Sequence, residues 1–197
     1  MSQLDIHRID EALGLLAERL RLDGAPAQEI VICGGSSLIA RGYVSRVTRD
    51  IDVIAWRLRG EAGFVTSRPL PTALLAAASR VEVDLGLPSK WFNDGPASLF
   101  EMGLPSGFTE RLIARKYGTH LTAWFIDRID QIHFKLYAAA DQGPGQHLTD
   151  LIALKPTPDE MLAAAQWAFT HDVSLPFKDI VRDMFNQLGY AEVAKKL

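Results

Sequence analysis

The chain has 197 residues, the length of one domain or of one domain with an appendage. Its 21 Lys and Arg against 24 Asp and Glu leave a net charge of −3, which argues against a polybasic nucleic-acid or membrane-surface protein. With 48% hydrophobic and 23% charged residues the composition is that of a globular core, and a single cysteine, Cys33, excludes an internal disulfide framework.

No Cys/His cluster points to zinc, and no repeat or low-complexity segment is present. The opening Met1-Ser2-Gln3-Leu4-Asp5 lacks the basic-then-apolar pattern of a signal peptide. No apolar run approaches the ~20 residues of a membrane span. The expectation is a cytoplasmic protein with no membrane partner.

In chain order, Ser2 to Leu22 carries Leu4, Ile9, Leu13, Leu16 and Leu20 at helical spacing, and Gly24 and Pro26 end the pattern. Glu29 to Cys33 is short and β-branched and predicts a buried strand that enters a tight turn at Gly34-Gly35. A short helix over Ser36 to Arg41 and a strand over Asp50 to Trp56 follow. Arg57 to Arg68 reads as a loop, Pro71 to Val83 as a helix, and Leu87 to Gly107 as irregular chain with one helical turn. Arg111 to Tyr117 and Leu121 to Ile126 read as a hairpin around Gly118-Thr119.

Beyond Asp127 the pattern is helical to the end. Ile129, Ile132, Leu136 and Ala139 form one stripe, which Gly143-Pro144-Gly145 interrupts. Thr157-Pro158-Asp159-Glu160 is a capping box opening a helix over Met161 to Thr170, and Pro176 precedes a last amphipathic segment, Ile180 to Leu188. Strands thus concentrate in residues 29–126 and helices in 127–197. This predicts an α+β core with a small mixed sheet and flanking helices (residues 1–126), followed by a helical subdomain packed on it (127–197).

The chemistry-bearing residues lie at the first strand's end and the second strand's start. Along a strand, residues i and i+2 share a face with Cα atoms ~6.6 Å apart, so Asp50 and Asp52 point one way while Ile51 and Val53 point into the core. Two convergent carboxylates at a strand start suit one or two Mg²⁺ ions. Taken alone, an Asp-x-Asp also describes a solvated strand edge. Gly34-Gly35 lets the backbone approach a ligand, and Ser36 and Ser37 open a helix whose N–H groups favour phosphate. Taken alone, Gly-Gly-Ser is also a plain turn, and it is neither a Walker A loop nor a dinucleotide fingerprint.

Together the two parts, a strand with Gly-Gly-Ser, a short helix, and Asp-Ile-Asp 14 residues further on (36–49 intervening), resemble the nucleotidyltransferase superfamily of the polymerase β type. Thr48, two residues before Asp50, resembles the Ser/Thr-x-Asp-x-Asp form of the AbiEii-like toxins and related uncharacterised bacterial families. Lys135-Leu136-Tyr137-Ala138 and Leu148-Thr149-Asp150-Leu151 are similar to that family's later motifs. The chain departs from them at Asp141, Gln146 and His147, where the family shows basic residues or an acidic one. The resemblance covers roughly residues 30–155. The stretch Trp91-Phe92-Asn93-Asp94 also recurs in the uncharacterised relatives with no assigned role.

The resemblance implies Mg²⁺-dependent transfer of a nucleotide from a nucleoside triphosphate to an acceptor hydroxyl, on a protein side chain or a tRNA end. Asp50 and Asp52 would hold metal, Gly34, Gly35, Ser36 and Ser37 would cradle phosphates, and Lys135, with Asp150 nearby, would neutralise phosphate charge. It further implies a toxin–antitoxin or defence setting with a cognate partner. The superfamily draws a third metal carboxylate from a later strand, and Glu82, Asp84 and Asp127 are open candidates. His133 reads as a satisfied core-edge histidine and His120 as a turn residue. Of Arg115 and Lys116, one faces the cleft in this reading, and of Trp124 and Phe125 one is buried. Two rival readings stand beside it: a catalytically degenerate binding or antitoxin module, favoured by Asp141, Gln146 and His147, and an adenylyltransferase acting on a small molecule.

Overall fold

In the computed structural model, which describes residues 3–197, the first helix, α1 (Ile6–Leu22), begins later than the apolar spacing predicts. Asp5 fixes the start: its carboxylate accepts the Arg8 N–H at 2.8 Å and so caps the first turn. Ser2, where the sequence placed the start, lies outside the described residues. Leu4 still belongs to the core but as a β-bridge, exchanging backbone hydrogen bonds of 2.8 and 2.9 Å with Thr48.

Strand β1 (Gln28–Cys33) runs without a loop into helix α2 (Gly34–Ala40). Strand β2 (Ile51–Leu58) returns antiparallel to β1, with a register shift between Val31 and Ile32 and with Cys33 opposite Asp52. Then come β3 (Val65–Thr66), α3 (Thr72–Leu85), β4 (Phe92–Asn93), α4 (Ala97–Met102), β5 (Ile113–Tyr117) and β6 (Leu121–Phe125). The sheet order is β3-β2-β1-β6-β5, with β4 pairing β2 beside β3. It is mixed, because β1 is parallel to β6 and β2 to β4 while the other pairs are antiparallel. Ile30, Ile32, Ile51 and Val53 of the sheet form one core with Leu13, Leu16 and Leu20 of α1 and Leu74 and Val81 of α3.

The expected loop over Arg57 to Arg68 holds the end of β2 and all of β3. Arg57 is kept in the strand by its cross-strand partner Glu29, whose carboxylate accepts at 2.9 and 2.8 Å, and its guanidinium lies 4.2 Å from the Phe64 ring centre. The expected irregular stretch over Leu87 to Gly107 holds β4 and α4. Phe125 is buried and Trp124 half-buried, as the alternation along β6 requires.

The chain divides into two units, one ending at Asp127 and one spanning Arg128–Leu197. The second consists of α5 (Arg128–Asp141), α6 (Gln146–Ala153), α7 (Pro158–His171), α8 (Leu175–Gln187) and α9 (Ala191–Ala194). Thr157 and Glu160 close the capping box at the start of α7. Helix α8 starts five residues before the expected Ile180, where Ser174 caps it. Of the expected stripe on α5, Ile132, Leu136 and Ala139 are buried and Ile129 is exposed. The architecture is α+β with a small mixed sheet. Among the described residues, no helix is long and apolar enough to cross a membrane.

Candidate active site

Gly34 stands at the junction of β1 and α2 with a φ of +65°, a left-handed conformation that favours glycine. Space demands glycine there as well. A Cβ at Gly34 would collide with Oδ2 of Asp52 and lie 3.4 Å from its Cγ. Asp52 reaches this point because β2 pairs it with Cys33, the residue before the turn. At Gly35, a Cβ would meet Nη2 of Arg46 and Oγ1 of Thr48, each at 2.9 Å. The two glycines are thus the floor on which side chains from residues 46–52 rest.

Asp50 directly precedes β2 and accepts a hydrogen bond of 3.2 Å from the Thr48 hydroxyl. Thr48 is itself fixed by its bridge to Leu4. Asp50 and Asp52 are half-buried while Ile51 and Val53 are fully buried, as strand alternation requires. On the outer side of β2, the Ile51 N–H donates to the Trp91 carbonyl at 2.5 Å, and Asn93 pairs with Asp52. Trp91 is buried and its indole N–H donates to Ala78 at 3.0 Å. The stretch Trp91-Phe92-Asn93 therefore braces the strand start that carries the carboxylates.

The two serines are fully buried. Ser36 Oγ donates to the Cys33 carbonyl at 3.3 Å, and Ser37 Oγ has no hydrogen-bond partner among the described residues. Neither hydroxyl lies at the surface. Of the candidates for a third carboxylate, Asp84 is paired with Arg19 of α1 at 2.5 Å, and Glu82 is also on α3. Asp127 follows β6 at the sheet end that carries Gly34, since Phe125 is opposite Ile32 in the parallel β1–β6 pair. Among the described residues no group of three or more His, Cys, Asp or Glu is placed to hold a metal ion.

Arg115 ties elements together: it donates to Asp10 at 2.7 Å and to the Ala40 carbonyl at 3.1 Å. Tyr117 donates to the same Asp10 oxygen at 2.5 Å, and burial together with that carboxylate pushes its phenol well above the usual tyrosine value. Lys116 is exposed.

In the second unit, the Lys135 ammonium lies 2.8 Å from Asp150 Oδ2. Both side chains are buried, Lys135 being 5% exposed and Asp150 1%. Gln146, where the family motif differs, donates to Asp150 Oδ1 at 2.9 Å. His133 is buried, with Nδ1 2.8 Å from the Ile129 carbonyl oxygen.

Arg46, which the sequence did not single out, also lies against the Gly35 turn. Residues 46–49 precede β2, so strand alternation does not place Arg46, and its position over Gly35 follows from the fold of the loop.

A family model described as a nucleotidyltransferase of unknown function (DUF6036) matches residues 7–144, more than half of the chain. No curated protein and no solved structure matches the chain significantly.

Proposed function

Because the chain belongs to this family of nucleotidyltransferases of unknown function, we propose that it transfers a nucleotide from a nucleoside triphosphate to an acceptor hydroxyl with the help of Mg²⁺. The observation that carries the reading is the gathering of Asp52 over Gly34, and of Asp50 and Thr48 beside Gly35, at one end of the sheet. Two half-buried carboxylates offer the hard oxygen donors that Mg²⁺ takes, and water and phosphate would complete its shell. Bound to Asp50 and Asp52, the ion would neutralise phosphate charge and favour loss of the acceptor proton.

In the reaction the acceptor oxygen attacks the α-phosphorus, the bond to the bridging oxygen breaks, pyrophosphate leaves and the acceptor proton passes to solvent. Thr48 holds one Asp50 oxygen in place. The backbone of the Gly34-Gly35 turn receives phosphate, and its missing side chains let the site's own groups stand close. In the second unit the Lys135 ammonium is held in a buried ion pair with Asp150. The resemblance to AbiEii-like proteins supports a toxin–antitoxin setting and a protein side chain or tRNA end as acceptor. The net charge of −3 lends tRNA no separate support.

One observation favours a second reading, a nucleotide-binding module without transfer activity: the Lys135 charge is already balanced by Asp150 inside a buried pair. Thermal unfolding with Mg²⁺ and each of the four nucleoside triphosphates, paired with a transfer assay using labelled triphosphate, separates the readings. A ligand at 100 times its Kd stabilises the folded chain by about 2.7 kcal/mol. Stabilisation with transfer supports the enzyme, and stabilisation without transfer to protein, tRNA or small-molecule acceptors supports the module. No stabilisation by any triphosphate overturns both.

A further inference from the structure

We infer that Arg46 binds the phosphates of the nucleotide and gives the site its preference for triphosphate over monophosphate, and that Gly35 is there to seat it. The inference rests on the nucleotide-transfer reading above.

Arg46 lies on the loop between α2 and β2 and is half-buried. Its Nη1 donates to the Val47 carbonyl at 2.8 Å, which orients the guanidinium plane. Nη2 and Nη1 lie 2.9 and 3.3 Å from the point where a Gly35 side chain would begin. Thr48 Oγ1 reaches the same point at 2.9 Å and donates to Asp50. The guanidinium is therefore placed at the glycine turn, beside the carboxylate proposed to hold metal.

Gly35 separates the two roles a glycine can play. Its φ is not in the left-handed region that marks Gly34, so an alanine there would suit the helix. A side chain there would instead displace the Arg46 guanidinium and the Thr48 hydroxyl from the positions they take over the glycine. The second glycine of the turn thus serves the site through the arginine it admits.

Charge gives the arginine its task. A triphosphate brought beside Asp50 and Asp52 adds negative charge to negative charge, and Arg46 adds a fixed positive charge at that place to the one the metal ion would bring. Guanidinium keeps its charge at every working pH and offers parallel N–H groups that match two phosphate oxygens. A cation directed at the β- and γ-phosphates has no partner in a monophosphate. Discrimination between the two nucleotides is therefore the signature that a mere loop tether would not produce.

The test is calorimetric titration of the full chain with Mg²⁺ and ATP, GTP, CTP or UTP and with the matching monophosphates, each variant's melting temperature being measured alongside. Arg46→Ala should weaken triphosphate binding by about tenfold to a hundredfold and leave monophosphate binding within about twofold. Arg46→Lys should recover part of the loss and Arg46→Gln little of it. In the double-mutant cycle, Gly35→Ala should cost much less triphosphate affinity on the Arg46→Ala background than on wild type. Equal loss for triphosphate and monophosphate, unchanged triphosphate affinity in Arg46→Ala, or full additivity of the two substitutions each overturns the inference. So does failure of all three Arg46 variants to fold, which would make the residue structural. A wild-type chain that binds no triphosphate overturns the nucleotide-transfer reading itself.

Discussion

The carboxylate of Asp52 occupies the space in which a side chain on Gly34 would begin. Gly34 and Gly24 have nearly the same backbone conformation, φ +65° and +64°, but a Cβ at Gly24 meets nothing within 4 Å. The pair separates dihedral strain from collision. Gly24→Ala should cost about 1–2 kcal/mol, the left-handed penalty of an ordinary residue. Gly34→Ala should cost clearly more, because Asp52 or the turn must also move. Chemical denaturation of the two variants checks this, and equal costs would mean that Asp52 swings away freely.

Asp50→Asn and Asp52→Asn should each weaken Mn²⁺ or Mg²⁺ binding by at least about tenfold, since an amide oxygen replaces a charged, hard donor. Neither substitution changes side-chain size, so the circular dichroism spectrum and cooperative unfolding should be retained. Metal titration calorimetry reads the result. Unchanged affinity in both variants would remove the metal role from the pair.

The elements that were legible in the sequence are those whose signal is local. Strand β1 shows as a β-branched run, the capping box Thr157–Glu160 announces α7, and the i, i+2 spacing of Asp50 and Asp52 already places them on one side. The elements that were missed depend on partners far along the chain. Strand β4 is two residues long and exists because β2 lies beside it. Arg57 continues β2 because Glu29 faces it, and Leu4 leaves the helix pattern to bridge Thr48. The site divides the same way. Its carboxylates and glycines were readable from spacing, whereas the placement of Arg46 over Gly35 arises only when the loop folds back on α2. The burial of Lys135 likewise required a carboxylate on another helix.

Glu160 links two devices at the start of α7. Its carboxylate accepts the Thr157 N–H at 2.8 Å and pairs with Arg128 at 2.7 and 2.9 Å, while Arg128 also donates to the Leu154 and Lys155 carbonyls. The hydrogen bond from Arg128 holds the Glu160 carboxyl below its usual range, against the opposing effect of burial. A lowered folded value means that the stabilisation is fully present above the unfolded pKa of about 4.3 and is lost as pH falls through the folded value. Glu160→Gln keeps an oxygen for the Thr157 cap but loses the charge, so it should be less stable by ~1 kcal/mol at pH 7. The gap between variant and wild type should close below about pH 4. Denaturation midpoints across that range check it, and a gap independent of pH would assign the effect to packing.

Lys135 and Asp150 form a buried pair to which Gln146 adds a hydrogen bond. Removing one partner strands the other charge, so Lys135→Ala or Asp150→Ala should cost about 3–5 kcal/mol. Replacing both by apolar residues of similar volume, Lys135→Met with Asp150→Leu, should return the stability close to wild type. The double variant therefore separates folding from function, because it removes the cation without leaving a lone buried charge. If Lys135 serves the triphosphate, the double variant should unfold like wild type and yet bind Mg²⁺-triphosphate about tenfold more weakly, with monophosphate binding little changed. Wild-type triphosphate affinity in a stable double variant would confine the pair to joining α5 and α6 and leave Arg46 as the arginine on which phosphate recognition depends.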